Sequence, residues 1–153
     1  MEESKNIKFK TNDGGRKKAG FIGTAGDCVC RAITIASGLP YKEVYEALAN
    51  GNATQRKTKH TRNTKRSARN GIYTTRKWFK DYMISLGFKW TPTMFIGSGC
   101  KVHVKQDELP KGRLVLNLSR HSAAFINGVL HDTYDSSREG TRCVYGYWFK
   151  EEE

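Results

Sequence analysis

Gly26-Asp27-Cys28-Val29-Cys30-Arg31-Ala32-Ile33-Thr34-Ile35-Ala36-Ser37-Gly38 reads as a turn that delivers a thiol to the first turn of a buried helix. Gly26 permits a tight bend, and Asp27 is a strong N-cap residue. Val29, Ala32, Ile33 and Ala36 recur at helical spacing, and Gly38 with Pro40 stops the helix. A helix N-terminus offers orphan N–H groups and the positive end of the dipole, which favour a thiolate. An ionised Asp27 beside Cys28 would oppose that effect. Cys28 is therefore the candidate nucleophile, and Cys30, elsewhere on the same helix, is expected in the core.

Working outward, the N-terminal side (residues 1–20) reads as a polar arm around Asn12-Asp13-Gly14-Gly15, with a short strand at Ile7–Phe9. On the other side, Pro40 opens a second helix through Val44, Tyr45 and Leu48. Residues 50–70 are rich in Asn, Thr, Lys and Arg and have almost nothing to bury. They are expected to be a mobile basic insertion. Residues 73–86 carry Trp78, Tyr82, Met83 and Leu86 near one helical face, and Gly87 closes that helix.

The second half changes period. Phe88–Thr91, Leu114–Ser119, Ala123–Ile126, Val129–Tyr134 and Val144–Phe149 read as strands. Asn127-Gly128 between apolar runs is a strong hairpin signal. Helices followed by an antiparallel sheet predict a single α+β domain, in keeping with the 153-residue length.

The sheet half carries the partners a thiol nucleophile needs. His121 opens the hairpin in Arg120-His121-Ser122-Ala123, and the return strand ends in His131-Asp132-Thr133-Tyr134-Asp135-Ser136. A nucleophilic cysteine needs a base within hydrogen-bond reach, and that base needs an acceptor to fix its tautomer. A two-residue turn at Asn127-Gly128 puts Asp132 on the face of His121. A three-residue turn with Gly128 as a bulge puts Asp135 there instead.

The order of these elements resembles the papain-like fold of cysteine peptidases, from about Ala25 to the C-terminus. In that family the cysteine starts the central helix, and the histidine and its Asn or Asp lie on neighbouring strands. The resemblance implies a Cys28 nucleophile, a His121 general base and a peptide or isopeptide substrate. It favours Asp135 over Asp132, because the family's Asn or Asp precedes a turn at the strand end. The cysteine block also looks like that of ovarian-tumour-type deubiquitinases, Asp-Gly-Asn-Cys-x-x-Arg-Ala. Ala25 stands where that motif begins, and no aromatic residue follows His121. Papain-like enzymes place an oxyanion-binding Gln six residues before the cysteine. That position is Ile22 here, so backbone N–H groups near Cys28 or another side chain would have to serve.

Other readings compete. Cys28-x-Cys30 with Cys100-x-x-His103 offers zinc-ligand types, but the spacing matches no common closed site, so no metal or cofactor is expected. Cys143 reads as either a spare ligand or a core residue. The net charge of +12 is unevenly placed. No acidic residue lies between Glu46 and Asp81, whereas Arg62, Lys65, Arg66 and Arg69 fall in the basic insertion. These four are the candidates for contact with nucleic acid or an acidic protein. Two alternatives follow: a basic nucleic-acid-binding accessory protein with a structural cysteine, or an inactive papain-like binding module.

No apolar run reaches membrane-spanning length and no secretory signal opens the chain. A cytoplasmic protein with unpaired cysteines and no membrane partner is therefore expected. Small size and a basic insertion suit a phage or mobile-element protein.

Overall fold

The computed structural model describes residues 8–20, 27–54, 72, 74–95 and 97–151. Among them the fold is α+β, with helices α1 (Cys28–Ser37), α2 (Tyr41–Thr54) and α3 (Lys77–Ser85). The strands are β1 (Lys8–Thr11), β2 (Lys89–Pro92), β3 (Arg113–Leu118), β4 (His121–Ile126), β5 (Val129–Asp132) and β6 (Gly146–Lys150). They form one six-stranded sheet in the order β1-β5-β4-β3-β6-β2.

The sheet is mixed, which corrects the antiparallel expectation. β1 runs parallel to β5, pairing Lys8 with Val129 and Thr11 with Asp132. Residues 8–20 are thus not simply a polar arm. The Asn12 N–H donates to the Asp132 carbonyl at 2.8 Å, and Gly14 lies close against the Arg31 carbonyl and Thr34 of α1. The remaining neighbours are antiparallel.

Both faces of the sheet are covered. Val115, Ala124 and Trp148 pack against Ile33, Val44, Leu48, Phe79 and Met83 from the helices. Their strand neighbours Leu114, Leu116 and Phe125 face the other way and pack with Val104, Leu109, Leu130 and Val144. Alternation along each strand makes this two-sided burial possible. α1 contributes Val29, Cys30, Ala32, Ile33 and Ala36 to the core. It ends where Gly38 turns left-handed (φ 79°) and donates its N–H to the Thr34 carbonyl.

α2 runs on to Thr54, so the first part of the expected 50–70 loop is helical. Gly51 lets the α3 residue Trp78 approach closely, since a Cβ there would meet the Trp78 ring at 2.1 Å. The rest of that stretch, with Arg62, Lys65, Arg66 and Arg69, lies outside the described residues, as does Ile22. Among the described residues no helix is long and apolar enough to cross a membrane.

Candidate functional site

The site forms where the N-terminus of α1 meets the paired ends of β3, β4 and β5. Three local features bring its residues together. Cys28 is the first residue of α1 and His121 the first of β4. Asp132 is the last residue of β5. The β4–β5 turn contains two residues: Ile126 pairs with Val129 and Ala124 with His131. Asn127 (φ 47°) and Gly128 (φ 86°) both adopt positive φ, as the twist-matched hairpin turn requires.

That register decides which carboxylate reaches the histidine. His121 Nε2 lies 2.6 Å from Asp132 Oδ2. The expectation that Asp135 would fill this role is corrected. A two-residue turn places Asp132, not Asp135, on the face of His121. Asp135 is exposed beyond the strand end, where its Oδ1 accepts from the Ser137 N–H and hydroxyl.

Asp132 is itself fixed on several sides. Ser136 Oγ donates to Oδ2 at 2.7 Å, and the Thr133 N–H donates to Oδ1 at 2.7 Å. The carboxylate is buried. Burial alone would raise its pKa; the bonds from His121, Ser136 and Thr133 outweigh that and hold it below the usual carboxylate value.

Cys28 completes the array. Cys28, His121 and Ser122 line one cleft, and His121, the Ser122 backbone N–H and Arg31 act on the Cys28 thiol. Burial favours the neutral thiol. The His121 bond and charge, the Ser122 N–H and the Arg31 charge act the other way, and the pKa falls below the ordinary thiol value. His121 shows the complementary shift. Burial disfavours its charge, but its bonds to Asp132 and Cys28 raise its pKa to about 9. Both shifts run in the direction of a thiolate beside an imidazolium. Cys30, two residues on, is buried in the core, and desolvation pushes its thiol up to about 12.

Beside the sulfur opens a cleft of about 390 Å³, whose lining includes Cys28, Thr74, Asn117, Arg120, His121 and Tyr145. Arg120 sits in the β3–β4 turn with φ 55°. Asn117, which lines the cleft, pairs with Ser122 across β3 and β4.

Asp27 departs from its expected role. It occupies the N-cap position but makes no side-chain capping bond. Instead it is buried and pairs with Arg31, with Arg16 Nε at 3.0 Å and with the Tyr41 hydroxyl at 2.5 Å. Sequence reasoning missed Arg31, although its spacing from Asp27 is that of a helical ion pair. It also missed the Ser122 N–H, Ser136 and Asn117, none of which carries a local signal.

The remaining cysteines are not both free. Cys100 and Cys143 form a disulfide, with Cα atoms 5.9 Å apart, against the expectation of unpaired thiols. Beside it, His103 Nδ1 lies 3.0 Å from Glu108 Oε1. Cys28 and Cys30 are thus not gathered with Cys100 and His103, and among the described residues no group of three or more potential ligands could hold a metal ion. No family model, curated protein or solved structure matches the chain.

Proposed function

We propose that the protein is a papain-like cysteine hydrolase acting on peptide or isopeptide bonds. The observation that carries this reading is the 2.6 Å contact of His121 with Asp132 in the cleft that His121 shares with Cys28, where His121 also lowers the pKa of the thiol. Nucleophile, base and orienting acceptor are joined in sequence, and a cleft opens at the sulfur.

In this mechanism the Cys28 thiolate attacks the carbonyl carbon and forms a C–S bond. The negative charge on oxygen is received by the Cys28 backbone N–H and the Asn117 amide, in place of the Gln that Ile22 replaces. The His121 imidazolium passes its proton to the leaving amine as the C–N bond breaks. Neutral His121 then takes a proton from water, which attacks the thioester and releases the acid. Asp132 keeps the ring oriented throughout.

The test is digestion of a proteome-derived peptide library and of an isopeptide-linked substrate, with new termini read by mass spectrometry. New termini with the wild type and none with C28S support hydrolysis. Absence of new termini from both, together with salt-dependent nucleic-acid binding unaffected by C28S, would favour the binding-protein alternative.

A further inference from the structure

Asp27 and Asp132 are two buried carboxylates that approach different nitrogens of one guanidinium. Arg31 Nη1 pairs with Asp27 Oδ1, and Arg31 Nη2 lies 3.9 Å from Asp132 Oδ1. Both carboxylate side chains are nearly inaccessible to solvent, at 1% and 3% exposure, and Arg31 itself is 11% exposed. The geometry points to Arg31 as a positioning residue for the candidate site, clamping Asp132 to the first turn of α1 and thereby holding His121 on Cys28. This rests on the thiolate reading proposed above.

Three observations support it. Arg31 lies one helical turn after Cys28, so the clamp and the nucleophile share a rigid element. Asp27 is anchored independently by Arg16 and Tyr41, so one nitrogen of the guanidinium has a fixed partner. Asp132 offers His121 and Ser136 its Oδ2, leaving Oδ1 to the Thr133 N–H and the Arg31 side. The two ends of the carboxylate are thus divided between orienting the ring and being oriented.

The charged and titratable groups around this arrangement come from each packed element. Arg16 approaches from the N-terminal segment, and Asp27, Cys28, Cys30 and Arg31 from α1 and its start. Tyr41 comes from α2, His121 from β4 and Asp132 from β5. Arg31 supports the thiolate in two ways: directly by its charge, and indirectly by keeping Asp132 against His121. Lysine could replace the charge but not the fork that spans two carboxylates.

The experiment measures the rate of Cys28 alkylation by iodoacetamide from pH 4 to 10 in wild type, R31Q and R31K, with folding checked by circular dichroism and site assignment by mass spectrometry. R31Q is expected to raise the midpoint by about one pH unit, roughly a tenfold loss of rate below it. R31K is expected to fall between R31Q and wild type. If R31Q does not fold, R31K alone decides: a raised midpoint supports the clamp. Folded variants with the wild-type profile would overturn it. A wild-type midpoint at the ordinary thiol value would instead refute the thiolate reading itself, so the two failures are distinguishable.

Discussion

His121 Nε2 and Asp132 Oδ2 are 2.6 Å apart, and the two-residue turn at Asn127-Gly128 is what makes that contact possible. The same turn sends Asp135 past the strand end, into a local bond with Ser137. The two aspartates should therefore differ sharply in their effect. D132N is expected to lower hydrolysis by on the order of 10²–10⁴-fold, because it unfixes the tautomer and removes the charge facing His121. D135N should change it by less than about threefold, since Asp135 contacts neither Cys28 nor His121. Steady-state rates of the two variants check this; equal losses would remove Asp132 from its orienting role.

Thiol reactivity should separate the two neighbouring cysteines of α1. Near pH 6.5, iodoacetamide is expected to label Cys28 and leave Cys30 intact, because Cys30 is fully buried with its pKa pushed up to about 12. Cys100 and Cys143 should label only after reduction, being joined to each other. Peptide mapping gives the order. Labelling of Cys30 at the same rate as Cys28 would contradict the account.

The α2–α3 contact should be sensitive to a single methyl group. G51A would place a Cβ inside the van der Waals envelope of the Trp78 ring, so the ring or the helix must shift. Overpacking of this kind costs about 1–3 kcal/mol, which outweighs the helix-propensity gain of alanine, at most about 1 kcal/mol. Urea denaturation followed by Trp fluorescence should show a lower midpoint. An unchanged or higher midpoint would mean that Trp78 yields freely.

The basic segment supports a separate expectation. If it contacts nucleic acid, substituting Arg62, Lys65, Arg66 and Arg69 with Gln should weaken binding on all sequences alike. It should also flatten the slope of affinity against salt by about one for each phosphate left without its cation. Fluorescence anisotropy over a salt series reads both. No binding by the wild type near 50 mM salt, a concentration at which phosphate contacts remain strong, would leave the segment a plain solvated insertion.

The parts of the fold that are legible in the sequence are the local ones. α1 is readable because its apolar spacing and Gly38 stop lie within one short stretch. The β4–β5 hairpin is readable because Asn127-Gly128 adopts the backbone that the turn needs. The parallel pairing of β1 with β5 is not, since Lys8 and Val129 share no local signal and their contact depends on everything folded between them. Asp27 shows the same limit at the site. As a neighbour of a helix start it reads as a cap, but Arg16 and Tyr41 arrive from other segments and take its oxygens. For Asp132 and Asp135, sequence narrows the choice to the parity of one turn, and only the backbone of Asn127 and Gly128 resolves it.

The central claim is that Cys28 and His121 form a thiolate–imidazolium pair, and ultraviolet titration at about 240 nm, where a thiolate absorbs and a thiol does not, tests it most directly. The difference between wild type and C28S should show the thiolate absorbance step at a lower pH than an ordinary thiol gives, because the Cys28 pKa lies below the ordinary thiol value of 9.0. Alkylation should rise with that same step, below the loss of the His121 proton at about pH 9. H121Q should move the absorbance step back toward the ordinary thiol value. The same pair predicts the pH dependence of stability. Since the His121 pKa is raised above 6.5, its contribution is full below that pH and lost as pH rises through about 9. Asp132 contributes above the ordinary carboxylate value of 3.8 and loses that contribution in acid, as pH falls through its lowered folded value. A single wild-type absorbance step near pH 9, unchanged in H121Q, would contradict the pair and with it the proposed hydrolase.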